Sequence, residues 1–368
     1  MVQKNMPKVF VGLSTIGIVL VSYIINSRRK DTSRYRTSDN NIVKSIRPIE
    51  VVRPEDVGFD DYGFKKTFHI DKSARKKVLI TGAGSYIGES FEKYCGEHYP
   101  NIEIDTLDMR NNNWRKYDFS GYDSVFHVAG IAHADVGKTS PEEQERYYKV
   151  NTDLAIETAQ KAKIEGVKQF VFMSSMIIYG DQEHITEDTI PRPSNLYGNS
   201  KWLADKGVRE FVSDTFAVAV LRPPMIYGKG SKGNYPKLAK IAKSLPFFPK
   251  VGNRRSMLYI ENLCEFVAQI VLSGGKGIFF PQNAEYSSTS EIVKTIAEVS
   301  GGKIIITELL VPIVNIAKNF PDKRIRKLAR KAFGNSWYEM DMSRYKDMYE
   351  GYDYQMITLK ESIKRTEG

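Results

Sequence analysis

The chain predicts an α/β fold built on a Rossmann-type doubly wound parallel sheet, and three observations predict it. A short apolar strand runs directly into a glycine-rich turn and a helix. Strands and helices alternate from about residue 77 to residue 221. An acidic residue, Asp108, closes the second strand. Strands alternating with helices give a parallel sheet, with ligands at the carboxyl ends of the strands. To this the sequence adds a smaller C-terminal α/β portion and an N-terminal transmembrane helix.

In chain order, the first element is the apolar run. No residue from 9 to 27 is charged, and 9–25 reads VFVGLSTIGIVLVSYII, close to the length one helix needs to cross a bilayer's hydrocarbon layer. The run is long for a secretory signal, and no small-x-small cleavage site follows it. Lys4 and Lys8 precede it, whereas Arg28, Arg29, Lys30, Arg34 and Arg36 follow. That bias keeps the downstream chain in the cytoplasm. The expected organisation is an anchor at 1–30 crossing the membrane through residues 9–26, then a polar linker at 31–75 with no sustained period. A nucleotide-binding domain follows at 76–225, and 226–368 forms a mainly substrate-binding portion with elements returning to the sheet.

Composition narrows the class. With 368 residues, 41% of them hydrophobic, the chain can bury one large core or two joined ones. The net charge of +10 comes from 54 basic residues interspersed with 44 acidic ones. No zinc-finger or RNA-binding signature accompanies them, so nucleic acid is not an expected partner. Cys95 and Cys264 lie far apart and form neither a disulfide ladder nor a metal-ligand pair, and no metal is expected.

The glycine turn is Thr81-Gly82-Ala83-Gly84-Ser85-Tyr86-Ile87-Gly88, between the strand at 78–80 and a helix starting near Glu89. Glycines let the backbone turn tightly and approach a pyrophosphate, while the helix N-terminus presents N–H groups to the anion. A second strand, 102–107, ends at Asp108, 20 residues after Gly88. There an acid can accept hydrogen bonds from both ribose hydroxyls of NAD. Arg110 close by is suited to a 2′-phosphate, so NADP is disfavoured and not excluded. A third strand begins at Ser124 and ends in the small residues Ala129 and Gly130, where a cofactor can pass. His127 within it reads as a packed core histidine.

The strand at 170–173 delivers Ser174 and Ser175, and Tyr197-Gly198-Asn199-Ser200-Lys201 opens a helix soon after. Tyr197 and Lys201, four apart, share one helical face. A nearby ammonium and a positive nicotinamide ring are expected to lower the tyrosine's pKa toward that of a working base. Ser175 is placed to hydrogen-bond the same substrate oxygen.

Further motifs are HVAG at 127–130, VNTD at 150–153, MSSMIIYG at 173–180, LRPPMIYGKG at 221–230 and RRSMLYIENL at 254–263. With TGAGSYIG and YGNSK they make residues 76 to about 365 resemble an extended short-chain dehydrogenase/reductase of the NAD-dependent epimerase/dehydratase family, most like its UDP-glucose 4-epimerase branch. The resemblance implies NAD contacts from the turn residues Gly82, Gly84, Ser85, Tyr86, Ile87 and Gly88. It adds Asp108, Asp118 and Phe119 at the adenosine end and Ala129, Gly130, Pro224, Tyr197 and Lys201 around the nicotinamide. Tyr197 is implied as the proton-transferring base, Lys201 as its partner and Ser175 as the hydroxyl donor. Asn234 and Arg255 match positions that hold the substrate's diphosphate. The sequence departs from the family pattern at Ser85, which stands where a middle glycine is usual.

The implied reaction is NAD-dependent epimerisation of a UDP-hexose at C4 through a 4-keto intermediate, supplying surface polysaccharide synthesis beside membrane glycosyltransferases. A homodimer is left open. The runner-up is an NAD(P)H-dependent reductase of a 4-keto nucleotide sugar, and a third class is an inactive membrane-tethered binding protein. The segment 323–333 reads as a basic amphipathic helix. Its leading reading is a helix packed on the domain with a solvated basic face, and its alternative is contact with an anionic membrane.

Overall fold

The computed structural model describes residues 70–131, 140–344 and 353–368. The expected membrane anchor and nearly all of the linker lie outside them. Among the described residues no helix is long and apolar enough to cross a membrane.

Six strands form one parallel sheet: β1 (Lys76–Thr81), β2 (Ile102–Leu107), β3 (Ser124–His127), β4 (Gln169–Met173), β6 (Ala217–Leu221) and β10 (Gly277–Phe279). A two-residue strand, β5 (His184–Ile185), lies between β4 and β6 in the chain. The spatial order is β10-β6-β4-β3-β1-β2. The order reverses at β1, flanked by β2 and β3, and such a switch point opens a crevice beyond the strands' carboxyl ends. β3, β4 and the C-terminal four residues of β1 are buried along their length, as strands covered on both faces must be.

The helices follow from caps and apolar spacing. α1 (Tyr86–His98) starts at Ser85, whose Oγ accepts the Gly88 N–H. α2 (Pro141–Tyr148) has Ser140 as its cap and proline in its first turn. A π-helical turn, Lys149–Asp153, joins α2 to α3 (Leu154–Ile164). α4 (Leu196–Arg209) starts at Asn195, whose side chain accepts the Gly198 N–H. Gly207 lets α4 approach α3, because a Cβ there falls 2.4 Å from Ile156 Cδ1. The main core includes Leu79, Phe119, Val125, Phe170, Phe172 and Val220.

The described chain forms two compact units. One holds the sheet and runs to Lys237, with Arg255–Ser287 and Ser336–Gly368. The other holds Leu238–Arg254 and Ser288–Asn335. In the first unit lie also β7 (Met225–Tyr227) paired with β9 (Met257–Tyr259), and β12 (Trp337–Tyr338) paired with β5. α5 (Tyr235–Ser244) spans the point where the chain passes from one unit to the other, while α6 (Ile260–Ser273) and α10 (Leu359–Glu367) belong to the first.

The second unit contains β8 (Phe247–Pro249) paired in parallel with β11 (Ile305–Thr307). Its helices are α7 (Thr289–Val299), α8 (Val311–Lys318) and α9 (Lys323–Phe333). A capping box of Ser288 and Glu291 opens α7.

Candidate active site

The glycine turn is held between three strand ends. The amides of Gly82 and Ala83 donate to the Leu107 carbonyl at the end of β2, at 2.9 and 3.1 Å. Gly82 has φ +124°, and a Cβ there would lie 2.8 Å from the Ala129 amide nitrogen, so only glycine lets the turn close against β3. Gly84 has φ +75° with open space where a Cβ would stand. Gly88 packs under the turn, its Cβ position 3.0 Å from Ile80 Cγ2. Ser85 keeps an ordinary extended backbone, φ −83° and ψ 139°. The turn therefore takes its positive φ one residue before the family's middle glycine, and a serine is tolerated in that glycine's place as the helix cap.

This turn fits an anion. With Gly88 capped by Ser85, the amides of Tyr86 and Ile87 have no acceptor among the described residues. They are the first N–H groups of α1, where the helix dipole favours negative charge. The open side of Gly84 leaves the backbone approachable. Both features suit the pyrophosphate of NAD.

At the end of β2, Asp108 is half-buried and engaged by Arg110. The Arg110 Nε is 2.9 Å from each carboxylate oxygen, and its Nη2 is 2.5 Å from Oδ2. The guanidinium holds the carboxyl down at about 2. Asp108 therefore accepts ribose hydroxyls only by sharing or releasing Arg110. Asp118 is exposed and held below the usual carboxylate range by the Ser120 N–H. Phe119 has its ring in the core, and its amide donates to Glu165 at 2.7 Å.

Ser175, Tyr197 and Lys201 are brought together. β4 delivers Ser175, whose Oγ accepts the Ile177 N–H at 3.3 Å and which acts on Tyr197 to favour its phenolate. Lys201, one turn along α4, is 5% exposed and donates to the Met173 carbonyl at 2.9 Å. Its ammonium also lies 4.9 Å from the centre of the Phe172 ring. A Cβ at Gly130 would come within 3.3 Å of that nitrogen, so the end of β3 borders the same spot.

The lowering of the Tyr197 pKa expected from an ammonium together with a nicotinamide ring is not supplied by the protein's own groups alone. Burial pushes the phenol up to about 12 and only the Ser175 hydrogen bond opposes it, with Tyr147 adding to the rise. Burial likewise depresses Lys201 to about 8, against the pull of Asp205. Taking charge out of water is the largest cause at both side chains.

His127 is the core histidine expected. Its Nδ1 is 2.8 Å from Thr81 Oγ1, it stacks on Phe170 and Phe172, and burial holds it neutral, near 3. Pro224 is buried at the end of β6, beside Pro223, whose carbonyl accepts the Met176 amide. Tyr86 turns its hydroxyl away from the turn, 2.7 Å from the Cβ position of Gly228, with no hydrogen-bond partner. Asn234 is half-buried just before α5 and accepts the Lys237 amide on its carbonyl. Arg255 is half-buried, with its backbone paired to Ser287 in both directions at 2.9 and 3.0 Å.

Asn151 was given no role from sequence, yet it organises the site. It is fully buried in the π-helical turn, accepts the Ile131 amide at 2.7 Å and donates to the Ile131 carbonyl and to Ser200 Oγ at 3.1 and 3.0 Å. It thereby ties the end of β3 to the helix carrying Tyr197 and Lys201. The VNTD motif was the available signal, but motif membership alone does not say what an asparagine touches.

Comparison with known proteins agrees with this arrangement. The chain is 29% identical over 209 residues to the N-acetyl-alpha-D-glucosaminyl-diphospho-ditrans,octacis-undecaprenol 4-epimerase of Escherichia coli O157:H7, a match covering 52% of this chain and 61% of that one. It thus spans less than two thirds of that relative. It is 26% identical over 253 residues to a UDP-glucose 4-epimerase of Vibrio cholerae, covering 62% and 76%. Among solved structures, UDP-glucuronic acid 4-epimerase from Bacillus cereus in complex with NAD shares the fold at 16% identity and TM-score 0.59, over 79% of this chain and 95% of that one. A family model, NAD dependent epimerase/dehydratase, matches residues 78–279, more than half of the sequence. With the glycine turn, the switch-point crevice and the Ser175, Tyr197 and Lys201 cluster, that match places the chain in the NAD-dependent epimerase/dehydratase family.

Proposed function

We propose that the chain epimerises a nucleotide sugar, a UDP-hexose at C4, through a transient 4-keto sugar, with Ser175, Tyr197 and Lys201 as its chemical groups. The observation that carries this reading is that Ser175, just past the end of β4, favours the phenolate of the buried Tyr197, while Lys201, one helical turn along α4, is buried with its ammonium donating to the Met173 carbonyl at the end of the same strand. NAD, when bound, supplies reversible hydride acceptance at the oxidised carbon. The amides of Tyr86 and Ile87 hold its pyrophosphate, and Asp108 takes its ribose hydroxyls.

Tyr197 Oη accepts the proton of the sugar's 4-hydroxyl and returns it after the keto sugar has turned over. Ser175 Oγ donates to the same oxygen, stabilising it as carbonyl character develops. Lys201 keeps positive charge behind the phenol, which favours the phenolate in the reacting state. Asn234 and Arg255 hold the diphosphate, for which a guanidinium's paired donors are suited.

A 4-keto nucleotide-sugar reductase is the second reading, supported by Arg110 close to the end of β2, a guanidinium of the kind that pairs with a 2′-phosphate once it leaves Asp108. Incubating the purified protein with UDP-glucose and with UDP-N-acetylglucosamine, with and without added NADH or NADPH, separates the two. Conversion without added reductant supports the epimerase, and strict consumption of NAD(P)H on a 4-keto sugar supports the reductase. The relative from E. coli acts on an undecaprenyl-linked sugar by its name, so a polyprenyl-diphosphate sugar belongs in the same assay. We place the body at the cytoplasmic face of a membrane, anchored through residues 9–26, where it supplies membrane glycosyltransferases.

A further inference from the structure

We propose that the second unit carries a docking face for an anionic phospholipid bilayer, formed by α8, α9 and the turn between them. This face is separate from the apolar run at 9–25 and does not depend on which sugar is turned over.

Charge is concentrated here. Residues 303–335 hold eight Lys or Arg against two Asp or Glu, while the rest of the chain is nearly balanced. α9 buries its apolar stripe inward, with Ala329 and Phe333 buried and the Phe333 ring against Phe248. Lys323, Lys327, Arg330 and Lys331 are left exposed. A basic face alone would be an ordinary solvated surface.

Its apolar neighbours make the difference. Five of the eight large hydrophobic residues exposed among the described residues lie in this unit. Leu309, in the short turn just before α8, is 71% exposed, Ile316 along α8 is 64% exposed, and Phe320 is 39% exposed in the turn that follows. The cations meet this apolar ground directly. Arg326 Nη1 donates to the Phe320 carbonyl and Arg330 Nε to the Lys318 carbonyl, both at 3.2 Å. α8 and α9 pack on each other, so the two kinds of side chain share one part of the surface.

Apolar side chains flanked by lysines and arginines are what a phospholipid surface rewards. The apolar groups enter the boundary of the acyl region while the cations pair with phosphate headgroups. A polynucleotide would reward the cations and leave Ile316 and Leu309 in water.

The test uses the full-length chain with vesicles of phosphatidylcholine alone and of phosphatidylcholine with an equal part of phosphatidylglycerol. Hydrogen exchange is read separately over 9–25 and over 309–333. Protection over 309–333 that requires phosphatidylglycerol and is lost in high salt is expected. The double variant Lys323→Gln/Lys327→Gln should weaken the anionic-lipid component by about fivefold for each charge removed, and Ile316→Ser/Phe320→Ser should abolish the protection. Both pairs are exposed, so sugar turnover in detergent is expected to stay unchanged and reports correct folding. Should the wild type turn over no sugar, the exchange readout still decides, since it needs no catalysis. Equal protection on both vesicles, or none, overturns the proposal. So does protection by single-stranded RNA in lipid-free solution without protection by the anionic vesicles.

Discussion

Replacing Tyr197 by Phe keeps the ring and removes only the oxygen proposed to take and return the proton. Turnover should fall by about a hundredfold to ten-thousandfold, with nucleotide-sugar affinity retained in a direct binding titration. Near-normal turnover would move the chemistry elsewhere. The pH dependence follows from the positions of Tyr197 near 12 and Lys201 near 8. The working pair is phenolate with ammonium. Below about pH 8 Lys201 is charged, so each unit of pH adds phenolate and kcat/KM rises. Above it, each unit that adds phenolate removes ammonium, and the profile flattens. Lys201→Arg keeps its charge, so its profile should go on rising past pH 8, and a break at the same pH in both proteins would assign it to another group. At Asp108 the prediction concerns the cofactor. Asp108→Asn removes the double acceptor and releases the Arg110 guanidinium, so NAD should bind more weakly and NADP more tightly. Unchanged preference in a fluorescence titration would take Asp108 out of the site. Tyr197, Lys201 and Ser175 were legible because helical spacing and a strand end are local facts. The part of Asn151, the Met173 carbonyl beneath Lys201 and the hold of Arg110 on Asp108 were not. Each depends on groups that meet only in the folded chain.

The glycine turn separates two reasons for glycine within one element. Gly84→Ala meets no atom and suffers only its φ of +75°, a cost of about 1 kcal/mol. Gly82→Ala combines φ +124° with a Cβ 2.8 Å from a backbone nitrogen of the neighbouring strand, and neither strand end can yield. Denaturant unfolding should therefore show a small loss for Gly84→Ala and a severe loss, or no folded protein, for Gly82→Ala. Equal losses would mean that the turn's path differs from this one. The same turn shows why elements were readable. Apolar runs closed by glycine or by serines marked β1 and β4 within a residue or two, β3 began where expected and ended three residues before Gly130, and β2 was bounded as found. α2, with the sequence PEEQERYY, is too polar for apolar spacing to announce it, and its tie to the site through the π-helical turn came only with the structure. The strands of two or three residues, β5 and β12 among them, exist by pairing across the chain. No local pattern marks them.

At the scale of the whole molecule, the sheet was legible because its strands follow one another with helices between. The second unit was not, since its segments at 238–254 and 288–335 are separated by residues that belong to the first. Contacts between distant segments, and not any boundary in composition, define it. The two membrane attachments proposed above differ in physical kind. The uncharged run at 9–25 gains from burying apolar surface, which salt does not screen. The face of α8 and α9 draws much of its attraction from charge, which salt screens within about 10 Å at ordinary ionic strength. Full-length protein should therefore stay with the membrane fraction through a high-salt wash and leave it in detergent. Deleting residues 1–30 should convert this into attachment that salt reverses, while epimerase turnover in detergent is unchanged, because the glycine turn, Asp108 and the Tyr197 and Lys201 pair all lie beyond residue 80. Release of the full-length chain by salt alone would leave the basic face as its attachment. Cleavage near residue 27 with export would overturn the cytoplasmic placement.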